Sequence, residues 1–118
     1  MAIHNELGKK GEDLAADYLI KNGHDILLRN FRHEKAEVDI ISSHNGMIVF
    51  TEVKTRSTDK FGYPEESIKG KKKDLLRIAM DFYLLENKIE EEARFDIISI
   101  VIDKENIRYH HIEDAFYH

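Results

Sequence analysis

Residues 36–56 read AEVDIISSHNGMIVFTEVKTR, two apolar runs on either side of Asn45-Gly46. Asn-Gly between hydrophobic segments is the strongest short-range signal for a two-residue hairpin turn. With that turn in place, the register predicts Ile41 opposite Phe50, Asp39 opposite Glu52 and Glu37 opposite Lys54. Directly opposed residues share a face, with Cβ atoms about 4.5–5.5 Å apart. The other face then carries Val38, Ile40, Val49 and Val53, with Ser42 and Thr51 as its polar members. The hairpin therefore reads as buried on both sides, with a charged cluster at the end of one face. Two carboxylates so close repel each other unless one is protonated or a cation lies between them. A hard divalent cation such as Mg2+ suits such a pair, water and phosphate oxygens completing its shell. Lys54 lies on the same face and within reach of a phosphate or an attacking water. That combination points to phosphodiester cleavage. A plain Glu37–Lys54 ion pair, with Asp39 escaping to solvent, leaves Asp39 opposite Glu52 unexplained.

Outward from the hairpin, apolar residues recur at helical spacing from about Asn5 to Asn22, and Gly23 is placed to stop that helix. HDILLRNFR (24–32) reads as a strand, and TRSTDKFGYP (55–64) as a loop. A second helix is expected from Glu65 to Asn87, strongest over DLLRIAMDFYLLEN. RFDIISIVI (94–102) is a dense β-branched run, hence a buried strand, and NIRYHHI (106–112) is a last strand after a short connection. The predicted fold class is α/β: a mixed five-stranded sheet flanked by helices, in the order α-β-β-β-α-β-β. Spacing puts Glu12 on one helix face with Gly8, Ala15 and Leu19, so that small neighbours let the backbone approach the sheet.

The chain has 118 residues, which fits one domain spanning 1–118. Hydrophobic residues make up 42% and charged residues 35%, ordinary for a globular protein and against disorder. No apolar run is long enough to span a bilayer, so no membrane partner is expected. MAIHNELGKKGED carries no hydrophobic signal region, and there is no cysteine; a cytoplasmic location is the expectation. The net charge of −5 counts against a general nucleic-acid-binding role, although basic residues cluster in RNFR (29–32) and KGKKK (69–73). Other motifs carry little. His110 and His111 are adjacent in a strand and point to opposite faces, so they cannot chelate one metal together. Ser42-Ser43-His44 lacks an acid partner for a hydrolase triad. Gly8 and Gly11 lie in a helix pattern and are not followed by Lys-Ser/Thr, so they form no phosphate-binding loop.

An acid on one strand followed by Glu-Val-Lys on the next resembles the PD-(D/E)xK signature of restriction-endonuclease-like nucleases. Asp39 matches the first acid and Glu52-Val53-Lys54 the (D/E)xK element; Val38 stands where the signature's proline would be. Over nearly its whole length the chain resembles the YraN-like family of small bacterial proteins, itself similar to archaeal Holliday-junction resolvases. The resemblance runs through GKKGEDLAADYL (8–19), AEVDII, VFTEVKTR (49–56), Lys71 with the following LLRIA, and RFDIISI (94–100). Ala36-Glu37 replaces the family's usual Gly-Glu.

The resemblance implies that Asp39 and Glu52 bind Mg2+ or Mn2+ with the Val53 carbonyl as a further ligand. It implies that Lys54 orients or activates water, and that Glu12, a fourth acid on the first helix, helps hold a second metal or a bound water. Both carboxylates are expected to face that helix near Glu12. Lys71 and Lys72 on the second helix, with Arg32 and Arg56, are the candidate nucleic-acid contacts. The function implied is a metal-dependent nuclease acting on DNA, with branched or damaged structures as candidate substrates. The competing reading is a catalytically silent nucleic-acid- or protein-binding module of a DNA-processing complex. A homodimer and a separate protein partner both stay open.

Overall fold

The Asn45-Gly46 turn forms with both residues left-handed (φ 50° and 79°), as a type I′ hairpin turn requires. The computed structural model describes residues 2–57 and 70–116, with the backbone alone for 2–5. Its elements are α1 (Ala2–Lys21), β1 (Asp25–His33), β2 (Ala36–His44), β3 (Met47–Arg56), α2 (Gly70–Glu86), β4 (Glu92–Asp103) and β5 (Asn106–Phe116). This is the predicted order. The expected start of the second helix at Glu65, and most of the loop 55–64, lie outside the described residues; Thr55 and Arg56 close β3 instead.

The five strands follow one another in space as β1-β2-β3-β4-β5, every neighbour pair antiparallel except β3–β4. A parallel pair needs a crossover, and α2 lies on that connection. The two helices cover opposite faces. Leu76, Ala79 and Met80 of α2 pack on Ile41, Phe50, Phe95 and Ile97, while Ala15, Ala16 and Leu19 of α1 pack on Ile40, Ile98 and Ile100. Because β4 lies between β3 and β5 and is covered on both faces, it is buried at every position from Phe95 to Val101, as its β-branched run predicts.

Asp96 is the one charge inside that run, and it is fully buried. Arg94 donates to it through Nε (3.0 Å) and Nη2 (3.2 Å), and His111 Nε2 lies 2.7 Å from Oδ2. The Asp114 N–H donates to its Oδ1 at 3.0 Å, just where the β4–β5 register shifts and Asp114 turns left-handed (φ 55°). Burial alone would raise this carboxyl's pKa, but the His111, Asp114 and Arg94 hydrogen bonds outweigh it and hold the pKa low. Asp96 thus anchors the bulged end of β5, which runs on to Phe116, past the expected end at Ile112.

Strict alternation fails in β2. Val38 packs in the α2-side core but Ile40, two residues on, packs in the α1-side core, so the two do not share a face as the sequence reading expects. The cause lies next door in β1. Asn30, which would pair with Asp39, adopts φ 58°, and the β1–β2 ladder passes from Arg29↔Ile40 to Phe31↔Val38 without it. On its other side the β2–β3 ladder, true to the predicted register from His44↔Met47, ends at Ile40↔Thr51. Asp39 sits where both ladders lapse.

Candidate active site

Beyond Ile40↔Thr51, the Asp39 side chain replaces the backbone ladder: the Val53 N–H donates to its Oδ2 at 2.7 Å. Asp39 and Glu52 therefore come together at the head of a cleft of about 360 Å³, lined also by Lys35, Glu37, Val53, Lys54 and, from α2, Lys72, Leu75 and Leu76. The cleft opens where β2 and β3 part, so the break in the ladder makes the site.

Burial drives the Asp39 carboxyl up to a pKa of about 7; the Val53 N–H opposes this, and the charges of Glu12, Glu52 and Glu37 add to it. Glu12 of α1 is near enough for its charge to act on Asp39, although it does not line the cleft itself. Glu12 itself is pushed up by burial, then held back by Arg29, whose Nη2 lies 3.7 Å away. The same Nη2 donates to Asp13 at 2.8 Å. Glu12 approaches closely because Gly11 lets α1 down onto β3: a Cβ at Gly11 would lie 2.8 Å from both Cβ and Cγ2 of Thr55. Of the two small neighbours expected in this role, Ala15 is fully buried against the sheet, whereas Gly8 has nothing within 4 Å of its Cβ position.

Glu52 is turned away from α1, contrary to the expected facing. Its Oε1 lies 3.3 Å from Lys72 Nζ of α2, and its Oε2 lies 3.5 Å from Lys54 Nζ. Oε2 is buried and accepts no hydrogen bond from the described residues. The expected pairing of Glu37 with Lys54 does not form. Glu37 pairs across the other ladder with Arg32, Oε2 to Nη2 at 3.1 Å, because β2 follows β1 once it has parted from β3. Of the candidate nucleic-acid contacts, Lys72 lines the cleft, Lys71 is exposed one residue away, Arg32 is committed to Glu37, and Arg56 ends β3. Lys35 went unnoticed in the sequence because its turn, Glu34-Lys35, has no glycine or asparagine to announce it.

Among the described residues, no three His, Asp or Glu side chains form a ready-made metal shell. The donor set nevertheless suits a hard divalent cation. It is made of oxygen, one buried carboxylate oxygen accepts no hydrogen bond from the described residues, and burial beside other acids raises the pKa of the neighbouring Asp39. Asp39 and Glu52 are the side chains that could hold such an ion, and Val53, whose carbonyl the resemblance implies as a further ligand, lines the same cleft.

A family model described as "Uncharacterised protein family UPF0102" matches residues 11–100, a span that takes in Glu12, Asp39, Glu52, Lys54 and Lys72. A UPF0102 protein of Christiangramia forsetii is 47% identical over 118 residues, covering 100% of this chain and 99% of the relative. Another from Flavobacterium psychrophilum is 45% identical over 118 residues, with the same coverage. A third, from Persephonella marina, is 47% identical over 110 residues, 92% of this chain and 91% of the relative. On both counts the chain belongs to the UPF0102, or YraN-like, family.

Proposed function

We propose that this chain is a metal-dependent nuclease that hydrolyses DNA phosphodiester bonds, with branched or damaged DNA as the substrate class. The observation that carries the reading is the charge state of the cleft. Of the three carboxylates that line it, Glu37 is paired with Arg32, Asp39 is pushed to a pKa of about 7, and Glu52 keeps a buried oxygen without a hydrogen bond from the described residues. Asp39 has no salt-bridge partner among the described residues and Glu52 is met only by two lysine ammoniums, so both carboxylates are available to a divalent cation.

Each residue then has a part. The Val53 N–H fixes the direction of the Asp39 carboxylate, leaving Oδ1 for a ligand. Glu52 supplies the second carboxylate from the adjacent strand, and Glu12 adds negative charge behind Asp39. Lys54, 30% exposed beside Glu52, orients or activates the attacking water and offsets charge on the phosphorane. Mg2+ or Mn2+ held by Asp39 and Glu52, with Glu12 available to a second ion, would supply Lewis-acid stabilisation of the phosphoryl oxygens.

The net charge of −5 favours a second reading, a non-cleaving module of a DNA-processing complex. A cleavage assay on branched, single-stranded and duplex DNA with Mg2+ or Mn2+ separates the two. The nuclease reading expects cleavage that Lys54→Ala abolishes while divalent-ion binding persists. Absence of both cleavage and ion binding in the wild type would sink it; ion or DNA binding without cleavage selects the module.

A further inference from the structure

Each oxygen of the Glu52 carboxylate has an ammonium of its own, and the two ammoniums are held differently. Lys54 comes from the same strand. Lys72 is 45% exposed and reaches in from the first turn of α2 to a Glu52 side chain that is 9% exposed. An anion buried that deeply is costly when left alone, so without another cation Lys72 has reason to stay. Its own position is nonetheless poor. Lys71, Lys72 and Lys73 crowd the first turn of α2, which has no acidic residue. The dipole there is positive and favours anions over cations. Lys73 stands 5.7 Å above the Phe116 ring and Lys71 is exposed, whereas Lys72 lines the cleft. Meanwhile Glu52 Oε2 still accepts no hydrogen bond from the described residues, so the present cations do not saturate it.

We propose that Lys72 is a resident counter-ion of Glu52 that an incoming divalent cation displaces, and that its released ammonium then takes a substrate phosphate. This rests on the metal-dependent reading of the cleft. Ammonium and cation compete for one carboxylate, so the ion's arrival frees a positive charge where helix α2 already attracts anions. Metal and DNA then strengthen each other's binding, by the same factor in either order.

The test is calorimetric titration of MnCl2 into the wild type, Lys72→Met, Lys71→Met and Asp39→Asn. Methionine keeps the apolar stem of the lysine and removes the charge. Lys72→Met should bind Mn2+ about fivefold more tightly than wild type, the gain expected when a competing ion pair is removed. Lys71→Met should match wild type, and Asp39→Asn should bind more weakly. Equal or weaker Mn2+ binding by Lys72→Met overturns the inference and leaves the metal-dependent reading standing. If neither wild type nor Lys72→Met binds Mn2+, both fall. For the phosphate half, a short duplex is titrated into Lys54→Ala, so that it is not cut, with and without Lys72→Met. Lys72→Met should lose affinity in Mn2+ and not in EDTA; loss in both conditions, or in neither, overturns that half.

Discussion

Asp39 carries a cost that its chemistry explains. Its pKa is raised from 3.8 to about 7 in the folded chain. A carboxyl raised by folding contributes most stability below its unfolded pKa and loses it as pH rises through the folded one. Between about pH 4 and pH 7 the metal-free protein should therefore give up roughly 4 kcal/mol on this account. Asn at 39 keeps an acceptor for the Val53 N–H but cannot ionise. Asp39→Asn should accordingly melt above wild type at pH 8 in EDTA, with the gap narrowing at pH 5. A variant that melts lower at pH 8 would mean that Asp39 is a satisfied ion-pair partner. That Asp39 and Glu52 share a cleft was legible because Asn45-Gly46 sets the register as far as Ile40↔Thr51, one step short of the direct 39–52 pairing that the turn predicts. The fate of Glu37 was not. It depends on Asn30 adopting φ 58° in the neighbouring strand, a conformation that asparagine tolerates better than most residues but that its place inside a strand-like run concealed. Lys72's choice of Glu52 was equally hidden, since it depends on where α2 passes over the sheet.

Elements show the same division between stated and silent signals. Helix α1 ends in a Schellman motif: Gly23 sits at φ 90°, with His24 N–H bonded to Leu19 O and Gly23 N–H to Ile20 O. Glycine announced that stop. Helix α2 ends in the same pattern, Ile89 N–H to Leu84 O and Lys88 N–H to Leu85 O, but with Lys88 in the left-handed position at φ 52°. Lysine there bears the Cβ clash that glycine avoids. Lys88→Gly should raise stability by about 1 kcal/mol in chemical denaturation; no gain would mean that the lysine side chain compensates. The glycines of α1 make an opposed pair. At Gly8 a Cβ meets open space, so Gly8→Ala should gain about 0.8–1 kcal/mol of helix propensity. At Gly11 it meets the stiff, β-branched Thr55, so Gly11→Ala should cost about 1–3 kcal/mol and move Glu12 off Asp39. Chemical denaturation of both variants checks the signs, and like signs would refute the close approach of α1 to β3.

At the scale of the whole molecule the difficulty is charge. Lys and Arg number 18 against 23 Asp and Glu, which for a DNA-binding protein is the wrong sign. What a phosphate meets, however, is the local field. The 17 residues of α2 span about 25 Å, with Lys71, Lys72 and Lys73 in the first turn and Glu90, Glu91 and Glu92 just past the other end. The Debye length at physiological salt is about 8 Å, so the acidic end contributes little at the cleft. Net charge and interface charge are then separate quantities. DNA affinity should fall with salt, and replacing Lys71 and Lys72 together with Ala should flatten the log–log slope by about one unit per lost phosphate contact. Replacing Glu90, Glu91 and Glu92 with Gln removes more net charge than that and should leave the slope unchanged. Both are measured at fixed Mn2+ in Lys54→Ala, where the strand is not cut. A slope that ignores the lysines, or follows the distant glutamates, would place the DNA somewhere other than the start of α2 and separate it from the carboxylate cleft.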